Sequence, residues 1–352
     1  MKQTEVLLSR EALVHNFKKV RELAAHAVWP VIKSNAYGHG SREVVSVLDE
    51  LEFSHYIVQN LYEAQELFDA TNKKFLILGT QSDDSYLSWN HDRCVPTVSS
   101  LRVLKLLGAS NYSGPIHLEI NTGMNRVGIE VDDISQALSL VREYKLSLEG
   151  VMTHFSNSNE PKALSLKKQQ ERFQHALNTH PELAGAQYIH ANNSAAITSG
   201  SLTCVNLSRS GRAPIGYRPY THHEFDALKP VLRYITHIVQ VKDLKPGETI
   251  GYGDSYVVEK PMRIAVLPVG YHEGMPRALG NKGFVLVGDH LCPIVGRISM
   301  NVTTIDITDH SHISVGDEVD LMSSSIPNAE ILDTIDYEIT TNIKAHIPRR
   351  IV

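Results

Sequence analysis

Apolar positions along the first two thirds of the chain switch repeatedly between helical spacing and short β-branched runs. Leu13, Phe17, Val20 and Ala24 recur every three to four residues and predict an amphipathic helix. WPVIKSN then reads as a buried strand, SREVVSVLDEL as a helix, HYIVQN as a strand, LYEAQELFDA as a helix and KFLILG as a strand. The alternation continues through CVPTVSS, IHLEIN, LEGVMTHF, QYIHANN and CVNLSR, with helical stretches such as DDISQALSLVREY and ALSLKKQQERFQHAL between them. About eight strands separated by helices are what a parallel (β/α)8 barrel requires, so residues 1–228 are expected to form one. Beyond them the texture changes. VLRYITHIVQV, DSYVVE, RIAVLPVG, GFVLVG and SVGDEVDLM alternate with period two around Pro246-Gly247, Gly253-Asp254 and Gly316-Asp317. Residues 229–352 are therefore expected to form a mainly β domain, with the boundary in the polar stretch YRPYTHHEFDALKP.

Composition narrows the picture little but in useful directions. At 352 residues, with 42% apolar and 21% charged side chains, the chain buries a substantial core. A net charge of −5 offers no basic stripe for a phosphate backbone, so nucleic acid is not expected as a partner. Three scattered cysteines, Cys94, Cys204 and Cys292, argue against a disulfide framework and for a reducing compartment. The opening residues lack a leader pattern, and no apolar run reaches the roughly 18 residues of a membrane span. A cytoplasmic protein without membrane contact is expected.

In such a barrel, chemistry gathers at the C-terminal ends of the strands. The polar residues there are Lys33 after VI, Glu119 in HLEIN, His154 after VMT, His190 and Asn193 after QYI, and Arg209 closing VNLS. Any one of them alone reads equally well as a solvated rim residue; their convergence is what points to a site. Lys33 has apolar neighbours before it, which desolvate its amine and suit it to Schiff-base chemistry. Ser194 and Gly211 fall at late strand ends, where hydroxyls and backbone donors can hold a phosphate. Asp309, His310 and His312 read as part of a surface turn, and no metal is expected.

The segment VIKSNAYGHG resembles the pyridoxal-phosphate lysine motif of alanine racemases. The likeness continues in order through INTGMNRVG, MTHF, HANNSAA, SRSGRAPIG, GETIGYGDSY, PVGYHEG, VGRISMN, DYEIT and IPRRIV, so it spans nearly the whole chain. It implies a barrel plus β domain, a pyridoxal 5'-phosphate cofactor, a small amino acid as substrate and a homodimer with shared active sites. It further implies that Lys33 holds the cofactor covalently and serves as one acid/base, with Tyr252 as the opposing one. Tyr37, Ser194, the Gly211 and Arg212 backbone and Tyr337 would bind the phosphate. Arg209 would face the pyridine nitrogen, His154 would bond to Arg209, and Asn193 would belong to the cofactor site. Arg126 would lie near the substrate carboxylate, while Tyr271 and Met300 would line the entrance and substrate pocket.

Departures from the family pattern accompany the likeness. Glu119 stands where many relatives carry a lysine that becomes carbamylated, so the negative charge next to Arg126 is already encoded. Arg212, Pro214-Ile215 and Asn301 also differ. The alternatives to an alanine-specific racemase are a racemase of another amino acid, such as serine, and a non-catalytic pyridoxal-phosphate carrier. A carrier has no use for Tyr252.

Overall fold

The computed structural model describes residues 4–87, 89, 92–199, 202, 204–218, 223–323 and 326–352. The chain divides into two compact units. One comprises Val14–Ser34 and Val45–Lys229; the other comprises Asn35–Val44 and Pro230–Val352 together with the N-terminal segment through Leu13.

The first unit is a nearly closed barrel of parallel strands. In spatial order they are Ala27–Pro30, Leu207–Ser210, Tyr188–His190, Ser147–Met152, Pro115–Asn121, Cys94–Val98, Lys74–Ile77 and His55–Val58. A parallel bridge from Val31 to Ile57 joins the last of these back to the first. All eight are the strands read from the sequence. His55–Val58, Cys94–Val98 and Leu207–Ser210 are buried at every residue, so polar side chains such as His55, Thr97 and Arg209 are enclosed along with the apolar ones: a parallel strand is covered by helices on one face and by barrel interior on the other. Side-chain caps fix where the connecting helices begin. The Asn60 amide oxygen accepts from Glu63 N at 2.9 Å and the Ser100 hydroxyl from Val103 N at 3.3 Å, each satisfying an orphan helix-start donor.

One irregularity interrupts the barrel. Ile116 pairs with Leu148 but His117 pairs with Gly150, so Glu149 is an extra residue in a β-bulge.

The second unit is mainly β. Its six-stranded sheet runs His290–Pro293, Phe284–Val287, Glu318–Asp320, Leu232–His237, Glu5–Leu8 and Arg349–Ile351. A three-stranded sheet combines Gln240–Leu244, Met262–Leu267 and Thr303–Asp306, and a short hairpin pairs Thr249–Ile250 with Tyr256–Val257. Here the structure differs from a division into consecutive segments 1–228 and 229–352. Glu5–Leu8 pairs antiparallel with Leu232–His237 and parallel with Arg349–Ile351, so the chain begins in the β unit before entering the barrel. A four-residue strand with alternating burial is too short to announce its partners. Within the expected linker, residues 219–222 lie outside the described ones. Among the described residues no helix is long and apolar enough to cross a membrane.

Candidate active site

The barrel interior is organised around Arg209, which is 3% exposed on a strand with no exposed residue. Its Nη1 donates to His190 Nδ1 (2.9 Å) and to the His190 carbonyl (3.0 Å). Its Nη2 donates to the Thr153 carbonyl (3.0 Å) and to His154 Nδ1 (3.2 Å). Four of the guanidinium's N–H groups are thereby engaged; only Nε–H lacks a partner among the described residues. Burial pushes the Arg209 pKa down to about 10, with Glu119 opposing the shift and Arg126 adding to it, so the group stays cationic at neutral pH. Arginine can only donate, so His154 accepts at Nδ1 and carries its proton on Nε2. Burial and the cations Arg209, Arg126 and Lys33 hold the His154 pKa at about 3.

Lys33 emerges where the barrel closes. Val31 N donates to the Ser210 carbonyl (2.9 Å) and Ile32 N to the Ile57 carbonyl (2.8 Å), fixing the chain just before the lysine. Its pKa is lowered, chiefly by burial and then by Arg126, against an upward pull from Glu63. A larger share of free amine follows, as a nucleophile or base requires. The Glu63 carboxylate also ties down the neighbouring backbone, accepting from Ser34 N (2.8 Å) and Gln59 N (2.7 Å). The next residues wind as a left-handed helical turn, with φ of 53°, 53°, 50° and 56° at Ser34, Asn35, Ala36 and Tyr37. For non-glycine residues that conformation costs about 1–2 kcal/mol each, so this segment stores strain directly after Lys33.

The remaining predicted residues of the barrel unit divide by what they touch. Ser194 Oγ lies 2.9 Å from Ser210 Oγ and accepts from Ala213 N at 3.4 Å, within the turn that carries Gly211 and Arg212. Asn193 spends its amide oxygen on Ser158 Oγ (2.8 Å), Ala195 N (3.1 Å) and Ala196 N (3.0 Å), and so shapes the loop around Ser194. Asn192, fully buried, has neither side-chain polar atom bonded among the described residues and holds a donor and an acceptor for a ligand or water. Glu119 is buried in the barrel. Burial raises its pKa while Arg209 and Arg126 lower it. The carboxylate makes no direct ion pair with Arg126: among the described residues no contact within 4.0 Å joins them, and Arg126 is exposed. His190, read from the sequence as a rim residue, is wholly buried behind Arg209. His117, Glu149 and Asn192 were not singled out by sequence reasoning. Only the period-two spacing of His117 and Glu119 on one strand hinted that both face inward.

The β unit carries the other predicted residues. Tyr252 sits at the tip of the Thr249–Ile250/Tyr256–Val257 hairpin and is 73% exposed. Gly251 and Gly253 flank it at φ 81° and 68°, and a Cβ on Gly251 would lie 2.9 Å from Arg297 N, so glycine is what lets the tyrosine stand out there. Tyr37 and Tyr337 come together, their rings perpendicular (89°) at 5.9 Å, and Thr340 Oγ1 donates to the Tyr37 carbonyl at 3.0 Å. Tyr271 and Met300 lie on adjoining segments joined through Tyr271 N to the Ser299 carbonyl (3.1 Å) and His272 N to the Met300 carbonyl (2.9 Å). Asn301 Nδ2 donates to Glu273 Oε1 at 2.6 Å. His272, Glu273 and His346 bring ligand atoms within 4.8 Å of one another. Their imidazoles, however, lie nearly parallel (25°) at 4.9 Å, an arrangement in which the in-plane lone pairs do not converge on one ion.

A desolvated amine, a buried guanidinium with one N–H to give, a neutral imidazole and a serine beside a glycine turn form a donor set suited to a planar, anionic carbonyl compound with a ring nitrogen. The fold and this donor set define a lysine-dependent enzyme of the (β/α)8-barrel class carrying a β-rich second unit. Family profiles agree in order along the chain: the alanine racemase N-terminal domain matches residues 8–219 and the alanine racemase C-terminal domain residues 231–351. The chain belongs to the alanine racemase family. Among curated relatives, alanine racemase of Fusobacterium nucleatum is 33% identical, with 99% of this chain and 100% of the relative covered. That of Staphylococcus carnosus is 33% identical, with coverage of 98% and 94%. Among solved structures, alanine racemase from E. faecalis superposes with a TM-score of 0.89 at 31% identity, covering 100% of this chain and 98% of the other. The Bartonella henselae protein, solved with covalently bound pyridoxal phosphate, shares the fold at a TM-score of 0.89 and 24% identity, covering 100% of both chains.

Proposed function

We propose that the protein interconverts L- and D-alanine by a two-base mechanism, with pyridoxal 5'-phosphate held on Lys33. The observation that carries the reading is the hydrogen-bond inventory of Arg209, which leaves a single N–H for a ring nitrogen. When bound, the cofactor supplies a conjugated system that acidifies the amino acid's α C–H by delocalising the electron pair left behind. The Lys33 amine takes or returns a proton at Cα on one face, and burial lowers its pKa in the direction a base requires. The Tyr252 phenol does the same on the opposite face. An exposed tyrosine at a hairpin tip fits delivery to a second copy of the chain, so the working form is a homodimer with shared sites. Ser194, Tyr37, Tyr337 and the backbone of Gly211 and Arg212 grip the phosphate, and Asn193 shapes the loop that presents Ser194. Arg126 meets the substrate carboxylate, and Tyr271 and Met300 restrict the entrance to a small side chain.

Arg209 donates to the ring nitrogen without giving up its proton, which makes the ring a weak electron sink and favours prompt reprotonation over transamination. His154 holds Arg209 in that pose. The product serves peptidoglycan supply in the cytoplasm, where the three cysteines, all free, stay reduced. Either enantiomer of alanine should exchange its α hydrogen with solvent deuterium and racemise, with serine and lysine turned over far more slowly. Retention of the α hydrogen in both enantiomers would refute the reading.

A further inference from the structure

Behind Arg209 a line of hydrogen bonds runs through the barrel interior. His190 Nδ1 receives Arg209 Nη1–H at 2.9 Å, His190 Nε2 lies 2.7 Å from His117 Nδ1, and His117 Nε2 lies 3.2 Å from Glu149 Oε2. Both imidazoles are 0% exposed. The two ends dictate the direction of every link. Arginine only donates and a carboxylate only accepts, so His190 must carry its proton on Nε2 and give it to His117, which carries its own on Nε2 and gives it to Glu149. The backbone is built for this. The bulge inserts Glu149 as the unpaired residue of its strand, and Gly150 leaves room for the His117 ring: a Cβ there would lie 2.4 Å from His117 Nδ1.

We propose that His117, His190 and Glu149 are positioning residues that act through Arg209. They form a one-way relay that fixes proton order behind the guanidinium and places a carboxylate charge at its far end. The relay stands on the geometry above; its effect on the cofactor rests on the proposed contact of Arg209 with the ring nitrogen. A His190 protonated at Nδ1 would set N–H against N–H and release Nη1, freeing the guanidinium to turn and Nε–H to lose its aim. A doubly protonated imidazole would do the same and place a second buried cation next to Arg209. Several groups oppose that outcome. Burial, Arg209 and His117 hold His190 well below the ordinary imidazole range. Burial also lowers His117, Glu149 pulls it back up and Arg209 lowers it further. Burial alone would raise the Glu149 carboxyl, but His117, His55 and Lys74 bring it below its usual value, so it is ionised at neutral pH.

The test uses the holoenzyme labelled with ¹⁵N-histidine. Both His117 and His190 should be neutral with the proton on Nε2, a signature that packing alone does not impose. Glu149→Gln keeps the size but removes the charge, and its amide can donate as well as accept. It should scramble the His117 tautomer, shift the cofactor's visible band and lower kcat several-fold with little change in KM. Gly150→Ala, which deletes no polar group, should reproduce the band shift by displacing the His117 ring; if it does not fold, Glu149→Gln carries the test. An Nδ1–H or doubly protonated ring at either histidine, or a Glu149→Gln protein with unchanged tautomers, band and kcat, overturns the proposal. Failure of the underlying reading is distinguishable, because a wild-type protein with no reducible chromophore but the expected tautomers would leave the relay standing.

Discussion

Gly38 and Gly247 share almost the same backbone conformation, φ 86° and 91°, in completely different surroundings. A Cβ on Gly38 would lie 1.9 Å from the Thr340 carbonyl oxygen and 2.6 Å from its carbon, whereas nothing lies within 4 Å of a Cβ on Gly247. Alanine at either position pays the left-handed penalty, about 1–2 kcal/mol. At Gly38 it also meets backbone that cannot yield. Thr340 O accepts from Ile343 N at 3.1 Å, and the Gly38 carbonyl is itself clamped by Arg349 Nη2 at 3.0 Å. Overpacking of that kind adds about 1–3 kcal/mol, so Gly38→Ala should cost about 2–5 kcal/mol against about 1–2 for Gly247→Ala. Urea unfolding followed by circular dichroism reads the difference directly, provided the two variants unfold with the same m value. The functional corollary concerns Tyr37, the preceding residue: cofactor affinity should fall in Gly38→Ala and hold in Gly247→Ala. Equal destabilisation of the two proteins would show that the close approach to Thr340 does not decide the identity of this glycine.

Other expectations follow from the charges and the proposed bases. Four histidines, His55, His117, His154 and His190, are held below their ordinary value, chiefly by burial, so the unfolded chain binds more protons than the folded one. Stability should be intact above about pH 6.5 and fall as pH drops toward 3, with a limiting slope of about 5 kcal/mol per pH unit from four protons; a flat profile between pH 6.5 and 5 would contradict this. Glu119 has the opposite sense, its carboxyl raised by burial, so wild type loses stability as pH rises through the folded value. Glu119→Gln should gain on wild type over that window in a denaturation series, and wild-type activity should be indifferent to bicarbonate. Borohydride should trap the cofactor on wild type and not on Lys33→Ala, as mass spectrometry would show. Mixing inactive Lys33→Ala with inactive Tyr252→Phe should restore activity through heterodimers, and failure despite proven subunit exchange would count against shared sites.

Most of the barrel strands were legible as apolar runs between helical patterns, whereas Leu207–Ser210 carries a single apolar residue and was found only through the CVNL that leads into it. Lys33 and Arg209 were legible because strand ends are where a barrel gathers its chemistry. What stayed hidden depends on geometry that no local pattern encodes. Glu149 enters the interior only because a register shift makes it the extra residue of a bulge, and the shift is a property of two strands rather than one. The left-handed turn from Ser34 to Tyr37 contains no glycine, so the usual cue for positive φ is missing. Glu119 and Arg126 do influence each other electrostatically, but complementary charge in a sequence does not tell whether two side chains pair directly, and these two do not. His190 was placed correctly at a strand end, but its inward aim gives it Arg209 and His117 as partners instead of solvent.

The interleaved order of the chain also constrains how the protein can be made. Glu5–Leu8 leaves the ribosome ahead of the barrel segments, yet its antiparallel partner begins at Leu232 and its parallel partner ends at Ile351. At about 5–20 residues per second, the opening strand waits roughly 10–45 s for Leu232–His237 and longer for Arg349–Ile351. During that interval both of its edges are unpaired while the barrel is being synthesised. Its composition suits the wait: EVLL is short, and Lys2, Glu5 and Arg10 surround it with charge. Vectorial synthesis thus leaves the β unit open until Arg349–Ile351 arrives, and a chain arrested after the barrel would display Glu5–Leu8 as an orphan strand ahead of it.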